Sequence, residues 1–334
     1  MTVEFRTHEI GIPADLAGMR LDQALARLLP QYSRQRLQRW IEAGEVQVNG
    51  AVPRARDKVL GGEQVRIRAQ LPAATTVGAE SLPVTVVYED EALRVIDKPA
   101  GLVVHPGAGN PTRTLQNALL GLDPALARVP RAGLIHRLDK DTSGLMVVAR
   151  TLEAHTALVA QLAAREIERR YVAVCVGVLT GGRTVDEPIG RHRSARTKMA
   201  VRSDGRPAVT HLRIIERFRA HTEVLAQLET GRTHQIRVHL AHVGHPVVGD
   251  PVYGSRKRYP PGASEALRSA LDGFGRQALH AAELGLEHPF TGEMLSWTAP
   301  LPADMRALLA ALAADQRAHA AAAAASHAHV RARR

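Results

Sequence analysis

The sequence is poor in cysteine, in aromatic residues and in long apolar runs. Its one cysteine, Cys175, lies in the apolar run YVAVCVGV, so neither a disulfide framework nor a cysteine zinc site is expected. Aromatic residues make up 3% of the chain, which excludes RNA binding mainly by serial stacking of bases on exposed rings. No apolar run is long enough to cross a bilayer. The first residues, MTVEFRTHEIGIP, contain acidic residues and lack the apolar core that a signal peptide has. We therefore expect a cytoplasmic protein without a membrane span.

Positive charge is present in excess. Lys and Arg total 44 against 33 for Asp and Glu, which gives a formal net charge of +11 and a pI near 10.5. A surplus of this size favours a polyanionic partner, either nucleic acid or an anionic membrane surface. The 334 residues, 45% of them hydrophobic, are enough for two packed domains.

The N-terminal region has the pattern of two short helices followed by a β-hairpin. Leucines recur at helical spacing in RLDQALARLL, and Pro30 is expected to end this first helix. Ser33 is a favourable N-cap for a second helix, SRQRLQRWIEAG, and Asn49-Gly50 predicts a tight turn between two strands. The whole pattern resembles the S4 RNA-binding domain.

Three arginines of the second predicted helix, Arg34, Arg36 and Arg39, lie close to one another along it. Arginines on a helix can bind RNA phosphates, which supplies affinity without reading the base sequence. Charge alone also fits a solvated helix face, whereas the resemblance to the S4 domain implies RNA binding.

The sequence predicts five segments. They are a lead-in at 1–18, an S4-like domain at 19–70, a linker at 71–82, a larger second domain at 83–316 and an Ala/His/Arg-rich tail at 317–334. The linker is rich in small residues, and the biased tail is expected to be a frayed helix or disordered. Strand-like runs, HQIRVHL among them, outnumber helical runs in the larger domain. This predicts an α+β fold with a mixed, mostly antiparallel sheet.

The segment GLIHRLDKDTSGL, residues 133–145, is the most informative part of the sequence. An apolar run, predicted as a strand, leads into Asp139, and a polar turn with Gly144 precedes a second apolar strand. Asp139 is therefore expected on a loop held by a rigid scaffold, where catalytic residues are often found. By local sequence alone, a structural ion pair or an Asx turn is the simpler interpretation.

Four elements, in order along the chain, resemble the RluA family of pseudouridine synthases. The pattern HRLDxxTSG is complete at 136–144, and DKPAGLVVHP at 97–106 is similar to a second element. RRYVAVCVG at 169–177 is similar to a third, with Arg169 where lysine is usual, and GRTHQIRVHLAHVGHPVVGDPVYG at 231–254 to a fourth. Together with the S4-like start, the resemblance extends over nearly the whole chain.

This resemblance implies a pseudouridine synthase fold with Asp139 as the catalytic group. It also implies that Tyr171 stacks on the target base and offers its hydroxyl as a proton shuttle. The target uridine must leave its stack, and Arg137 is expected to fill the vacated space by stacking and phosphate contact. His136 and Lys98, which lie in the motif elements, are expected to contact the RNA as well.

The reaction itself sets chemical requirements. Conversion of uridine to pseudouridine breaks an N-glycosidic bond and forms a carbon–carbon bond, without redox change or net hydrolysis. We therefore expect no cofactor and no metal, and a single carboxylate acting as nucleophile or base at the ribose. A nearby guanidinium would hold that carboxylate charged and orient it in a dry pocket.

The run THQIRVH supplies the candidates for this guanidinium. Read as a strand, it places Thr233, Gln235, Arg237 and His239 on one face. Arg237 is the expected partner of Asp139, and Arg232 is the second candidate. Ile236 is expected either to wall the base pocket or to pack in the core.

Three alternatives to a synthase were considered. The first is a non-catalytic S4-type RNA-binding or chaperone protein. The second is a metal-dependent hydrolase, because His234, His239, His242 and His245 cluster within a short stretch, although their spacing matches no metal motif; we interpret them as backbone-positioning and RNA-contact residues. The third is a serine hydrolase that uses Ser143, which lacks the G-x-S-x-G elbow.

The segments VPRAG, VHPGAGNP and FGRQALHA are most similar to the branch of the family that acts on large-subunit (23S) ribosomal RNA. This implies uridines in the loop of helix 69 as targets, on assembling ribosomal particles, with other rRNA or tRNA uridines as the alternative. The expected partner is therefore large-subunit rRNA, with no membrane and no small-molecule cofactor, and the protein is expected to be a monomer.

Overall fold

A computed structural model describes residues 4–29, 34–71, 77–107, 109–195, 197–254 and 258–332. Side chains are described for these residues except 4–6, 35–36, 69–71 and 326–332. The predicted helix end at Pro30, the predicted N-cap at Ser33 and the side chain of Arg36 lie outside the described parts. The chain divides into two compact units, Met1–Thr76 and Val77–Arg334.

The N-terminal unit combines two helices with a three-stranded antiparallel sheet of order β1-β3-β2. The elements are β1 (Glu4–Gly11), α1 (Leu21–Leu28), α2 (Arg34–Glu42), β2 (Val46–Val48) and β3 (Gln64–Leu71). Leu25 of α1, Leu37 and Ile41 of α2 and Ile67 of β3 belong to one buried apolar cluster. The helical spacing of the leucines therefore places one apolar face of each helix in a common core.

The C-terminal unit is built on a nine-stranded sheet in its described residues. The order is β4-β5-β6-β13-β7-β12-β11-β8, with β14 paired to β13, while β9 and β10 form a separate pair. The strands are β4 (Thr85–Glu89), β5 (Leu93–Lys98), β6 (Ser143–Ala149), β7 (Glu168–Val176), β8 (Arg183–Asp186), β9 (Ile189–Arg191), β10 (Met199–Val201), β11 (Val209–Arg217), β12 (His221–Leu228), β13 (Leu279–Glu287) and β14 (Met294–Thr298). Neighbouring strands are antiparallel except β6 and β13. The predicted α+β fold with a mixed, mostly antiparallel sheet is confirmed.

Helices cover this sheet. They are α3 (Leu115–Leu122), α4 (Leu152–Ala164), α5 (Gln235–His242), α6 (Glu265–Gly273) and the long α7 (Ala303–Ala332). Strand β6 is buried along its whole length because both of its faces are covered. Met146 and Val148 belong to the cluster that contains α3, and Val147 belongs to the cluster that contains Leu158 of α4. No helix within the described ranges is long and apolar enough to cross a membrane.

Two predictions of local structure are wrong. The run HQIRVHL forms helix α5 instead of a strand. Its apolar residues alternate like those of a strand, but all of 235–240 is buried, so the alternation does not distinguish two faces. The apolar run before His136 is not a strand either. Residues 130–133 form a 3₁₀ turn, and Leu134 makes a single bridge to Val148.

Candidate active site

The loop that carries Asp139 is tied to the sheet by backbone contacts. Lys98, at the end of β5, donates hydrogen bonds to the carbonyl oxygens of Pro99, Leu102 and Lys140 at 2.8, 3.0 and 3.0 Å. Its side chain is fully buried, and this burial lowers the pKa of Lys98 to about 7. The structure therefore gives Lys98 a role in joining two loops, and its buried nitrogen does not make the RNA contact expected from the sequence.

Gly144 fixes where this loop enters the sheet. It has a φ of +116°, and a Cβ atom at this position would lie 2.3 Å from the carbonyl oxygen of Ala281. The close approach lets β6 and β13 run parallel, with Gly144 opposite Ala281. A glycine is required here because any side chain would separate the two strands and displace the adjoining loop.

Arg237 joins two aspartates. Its Nη1 donates to Asp139 Oδ2 at 2.8 Å, while Nε and Nη2 donate to the two carboxylate oxygens of Asp250 at 2.7 and 2.8 Å. Burial alone would lower the pKa of Arg237, but the hydrogen bonds and charges of Asp250 and Asp139 outweigh it and raise that pKa. The partner of Asp139 is thus Arg237, whereas Arg232 Nε donates to the carbonyl of Pro207 at 3.0 Å.

Asp250 is itself held by the loop that contains it. Its Oδ1 also accepts hydrogen bonds from the backbone N–H groups of Val252 and Tyr253 at 2.9 and 3.0 Å. Burial would raise the pKa of Asp250, but Arg237 and these donors lower it. The guanidinium of Arg237 is therefore fixed by a fully buried carboxylate, and it presents an N–H group of Nη1 to Asp139.

His234 lies on the other side of Asp139. It adopts a left-handed backbone conformation, with φ of 59°, immediately before α5. Its Nδ1 lies 2.8 Å from the hydroxyl of Tyr253, which in turn accepts the N–H of Met199 at 2.8 Å. The contact with Tyr253 orients the imidazole ring so that its Nε2 faces Asp139. This Nε2 lies 3.7 Å from Asp139 Oδ1.

Asp139 opens into a pocket of about 720 Å³. Tyr171 and Ile236 line it, and they are 6% and 4% exposed. Burial raises the pKa of the Tyr171 hydroxyl, so this group stays protonated at neutral pH. The pocket thus brings together the carboxylate of Asp139, the aromatic ring of Tyr171 and the aliphatic side chain of Ile236, which also packs in the core.

Arginines surround the pocket. Arg131, Arg137 and Arg165 line it and are exposed, Arg232 is half-buried, and Arg169 is buried. His136 also lines the pocket, but its Nε2 accepts the backbone N–H of Val147 at 3.2 Å. Burial, helped by the charge of Arg169, lowers the pKa of His136 to about 3. His136 is therefore neutral and anchored to β6, while Arg131, Arg137 and Arg165 are exposed at the pocket.

The histidine cluster of the sequence does not converge in the structure. His239 lies 2.9 Å from both Thr210 Oγ1 and the carbonyl of Glu187, and His245 lies 3.0 Å from the carbonyl of Val176. Across the described residues, no group of three histidine, cysteine or acidic side chains is placed to hold a metal ion. Ser143 lies 2.9 Å from His280 Nδ1, but it is only 4% exposed and does not line the pocket, so a substrate there cannot reach it.

In the N-terminal unit, Arg34 is engaged by a neighbouring carboxylate. Its Nε and Nη2 donate to Asp22 Oδ2 at 3.0 and 2.8 Å, although 45% of its side chain remains exposed. Arg39 is exposed. The structure thus separates the basic residues of α2 into one that holds the fold together and one that faces solvent.

Sequence reasoning did not single out Asp250 and Tyr253. Both belong to GDPVYG in the fourth motif element, so the resemblance itself was the available signal. An acidic residue within an otherwise apolar and glycine-rich stretch is a candidate partner for a buried arginine.

Comparisons with known proteins agree with this geometry. The family model described as RNA pseudouridylate synthase matches residues 92–242, and the S4 domain model matches 19–65. Proteins called "Ribosomal large subunit pseudouridine synthase D" are 56% identical over 295 residues in Xanthomonas campestris pv. campestris and 58% identical over 289 residues in Escherichia coli strain K12. These matches span 88% and 86% of this chain, and 89% of each relative.

A solved structure shares the fold. The chain titled "Human RNA Pseudouridylate Synthase Domain Containing 4" is 27% identical, with a TM-score of 0.55, over 68% of this chain and 92% of the human one.

Proposed function

The chain belongs to the RNA pseudouridylate synthase family and is an RNA pseudouridine synthase with an N-terminal S4 domain, and we propose that it isomerises specific uridines of large-subunit ribosomal RNA with Asp139 as catalytic carboxylate. The observation that carries this assignment is the state of Asp139. One of its oxygens is held by Arg237, and the other faces a pocket lined by Tyr171 and Ile236.

The open oxygen can act on the ribose of a uridine bound in the pocket. It either attacks C1′ or removes the proton from C2′, and in both cases the electron pair of the C1′–N1 bond moves to the base. The freed uracil turns and C5 bonds to C1′, while the Asp139–C1′ bond breaks or, in the second case, C2′ takes its proton back. The C5 proton then leaves and N1 takes up a proton. The hydrogen bond from Arg237 keeps Asp139 aimed at the sugar.

Tyr171 and Ile236 hold the base while it is detached. The Tyr171 ring provides a surface on which the base stacks. Its buried hydroxyl serves as the proton shuttle of the reaction. Arg232, which lines the same pocket, is proposed to contact the RNA beside the target nucleotide.

Access to the pocket requires that the uridine leave its stack. Unstacking costs a few kcal/mol, and Arg137, exposed and two residues before Asp139, is proposed to occupy the space left behind. In the N-terminal unit, Arg39, together with Arg36 and the exposed part of Arg34, is proposed to bind phosphates. Binding through such contacts is strongly salt-dependent.

The relatives' names support large-subunit ribosomal RNA as the substrate. Within this RNA we propose uridines in the loop of helix 69 as the targets. We further propose that the enzyme is a monomer and modifies them in the cytoplasm, on assembling ribosomal particles. RNA specificity resides largely in the shape of unstacked loops. The target is therefore identified by mapping modified uridines in the RNA, because the charge and motif spacing of the protein do not define it.

The test is a map of pseudouridines in ribosomal RNA from a strain that lacks this gene. We expect loss of modification in the helix 69 loop of the large-subunit RNA, and its return when the wild-type gene is supplied. Loss at other uridines would overturn the target but keep the reaction. A map identical to that of the parent strain would contradict the proposed substrate altogether.

A further inference from the structure

Arg169 differs from the other buried arginines of the protein. Three arginines are buried among the described residues. Arg94 pairs with Glu89 at 2.7 Å, and Arg237 pairs with Asp139 and Asp250. Arg169 is 6% exposed and forms no ion pair with any carboxylate that the structure describes. A buried cation without a counter-charge is costly, so its retention calls for an anion from outside the protein.

The hydrogen bonds of Arg169 are equally incomplete. Its Nη2 reaches the carbonyl oxygen of Glu229 at 3.4 Å, a long contact. Its Nε is buried and has no hydrogen-bond partner within the described part of the chain. Burial also lowers the pKa of the guanidinium, as expected where no carboxylate offsets the loss of water.

The position of Arg169 shows what could reach it. It lies on β7 two residues before Tyr171, and both side chains line the pocket into which Asp139 opens. Phosphates, which remain in contact with water, are met first by the exposed arginines Arg131, Arg137 and Arg165 at the same pocket. A group must enter the pocket to contact a cation buried beside Tyr171, and the target base is the group that does so.

We propose that Arg169 is the oxyanion-binding residue of the base pocket, and that it binds the detached uracil while the ring carries a negative charge. This inference rests on the proposed function. When the C1′–N1 bond breaks, its electron pair spreads over N1, O2 and O4 of uracil, and an Arg169 N–H donates to a carbonyl oxygen. When C5 bonds to C1′ with this pair, Asp139 leaves C1′ or returns its proton to C2′. C5 then loses a proton and N1 gains one, so charge and atoms balance.

Such a residue stabilises the reacting state more than the bound substrate. The base of uridine is neutral, and its charge appears only after bond cleavage, so the contribution of Arg169 falls on kcat and not on KM. His136, the neighbouring imidazole whose pKa lies far below neutrality, does not compete with the base as a cation.

The main experiment compares Arg169→Met with wild type on a target RNA stem-loop, by kcat, KM and Tm. We expect kcat to fall about 100-fold, as when one oxyanion donor is removed, and KM to stay within about twofold. Tm should rise, because a buried unpaired charge is replaced by an apolar side chain of similar length. Arg169→Lys, which keeps the charge, should recover much of the loss. A residue with a merely structural role would instead lower Tm.

Arg165→Met is the matched control. Arg165 lines the same pocket but is exposed and paired with Glu229 at 2.9 Å. Its loss should raise KM and weaken the salt dependence of binding, with kcat little changed. If Arg169→Met likewise raises KM and leaves kcat little changed, Arg169 is a phosphate contact and the proposal is overturned.

A chemical arm tests the charge on the base directly. Fluorine at C5 stabilises the uracil anion, so the defect of Arg169→Met in cleaving the glycosidic bond should be smaller for 5-fluorouridine at the target position. An equal defect with both RNAs would contradict the proposal. If wild-type protein converts no uridine at all, the proposed function fails, which is a different result.

Gly231→Ala provides a test that keeps the charge. A Cβ atom at Gly231 would lie 2.9 Å from Nη1 of Arg169, the movable end of that side chain. The methyl group should displace the guanidinium and lower kcat about tenfold, with KM and folding preserved. Unchanged kcat in this variant would overturn the proposal even if Arg169→Met did not fold.

Discussion

Each of the two units holds an aspartate with arginine, and the two arrangements differ in how much of the carboxylate is engaged. In the N-terminal unit, Asp22 accepts hydrogen bonds from Arg20, Arg34 and Gln38, and its side chain is fully buried. In the C-terminal unit, Asp139 accepts one hydrogen bond from Arg237, and 16% of its side chain is exposed to the pocket.

The comparison shows that pairing with arginine does not by itself mark a catalytic carboxylate. Both carboxylate oxygens of Asp22 accept hydrogen bonds from side chains of the same unit. This carboxylate therefore contributes to the stability of the unit and has no oxygen open to a substrate. Asp139 is oriented by the same kind of partner, but its Oδ1 accepts no hydrogen bond from the residues described here and faces the pocket. The unfilled oxygen distinguishes the two.

The largest effect short of removing Asp139 is expected from Asp250→Asn. Without the charge of Asp250, the Arg237 N–H groups that bind it can turn to Asp139 and engage the open oxygen of Asp139. We expect kcat to fall about 100-fold and the free energy of unfolding to fall by about 3 kcal/mol, since one partner of a buried pair is lost. Kinetics and denaturant unfolding measure the two effects.

Asp315→Asn serves as the control for this variant. Asp315 is a buried aspartate of the same unit that pairs with Arg219 at 2.8 Å and does not line the pocket. It should lose stability with kcat unchanged. Equal kcat in the two variants would show that Asp250 acts only through stability.

A smaller, non-catalytic effect is expected from Asp22→Asn. It should loosen the N-terminal unit and weaken RNA binding about tenfold, with kcat at saturating RNA preserved, because Arg34 loses its partner. Unfolding of this unit can be followed in the full chain by Trp40 fluorescence after Trp297→Phe. A loss of kcat at saturating RNA would erase the distinction between the two aspartates.

The contribution of Asp22 also has a defined pH dependence. Burial would raise the pKa of Asp22, but Arg20, Arg34 and Gln38 lower it below the unfolded value of 3.8. Because the unfolded state then binds the proton more readily, the stabilisation is complete above that pH and is lost as pH falls through the lower folded pKa. The difference in stability between wild type and Asp22→Asn should disappear in that acidic range.

The smallest effect concerns the second neighbour of Asp139. Tyr253→Phe removes the hydroxyl that contacts His234 Nδ1 at 2.8 Å, but keeps the ring 5.1 Å from the Arg237 guanidinium. We expect a fall in kcat of about three- to tenfold, in line with the loss of one orienting hydrogen bond. Tyr259→Phe, outside the pocket, should have no effect on kcat. An unchanged pH profile of kcat in Tyr253→Phe would exclude the influence of His234 on Asp139.

Much of this architecture was predictable from the sequence, and the exceptions have physical causes. Apolar strand-like runs with few helical runs between them indicated the α+β class, and β7, one of these runs, is buried along most of its length. Helix α5 was mistaken for a strand, since a fully buried helix offers no polar face to set its period. The network around Arg237 depends on a contact with Asp250 that spacing cannot show, and the burial of Lys98 depends on two loops meeting.

The most direct measurement is the amount of pseudouridine that purified Asp139→Asn forms in a target RNA, compared with Asp141→Asn from the same loop. We predict folding and RNA affinity like those of wild type in both proteins, with activity about 10⁴-fold lower or absent in Asp139→Asn and nearly normal in Asp141→Asn. Pseudouridine formation by folded Asp139→Asn at the wild-type rate would contradict the account.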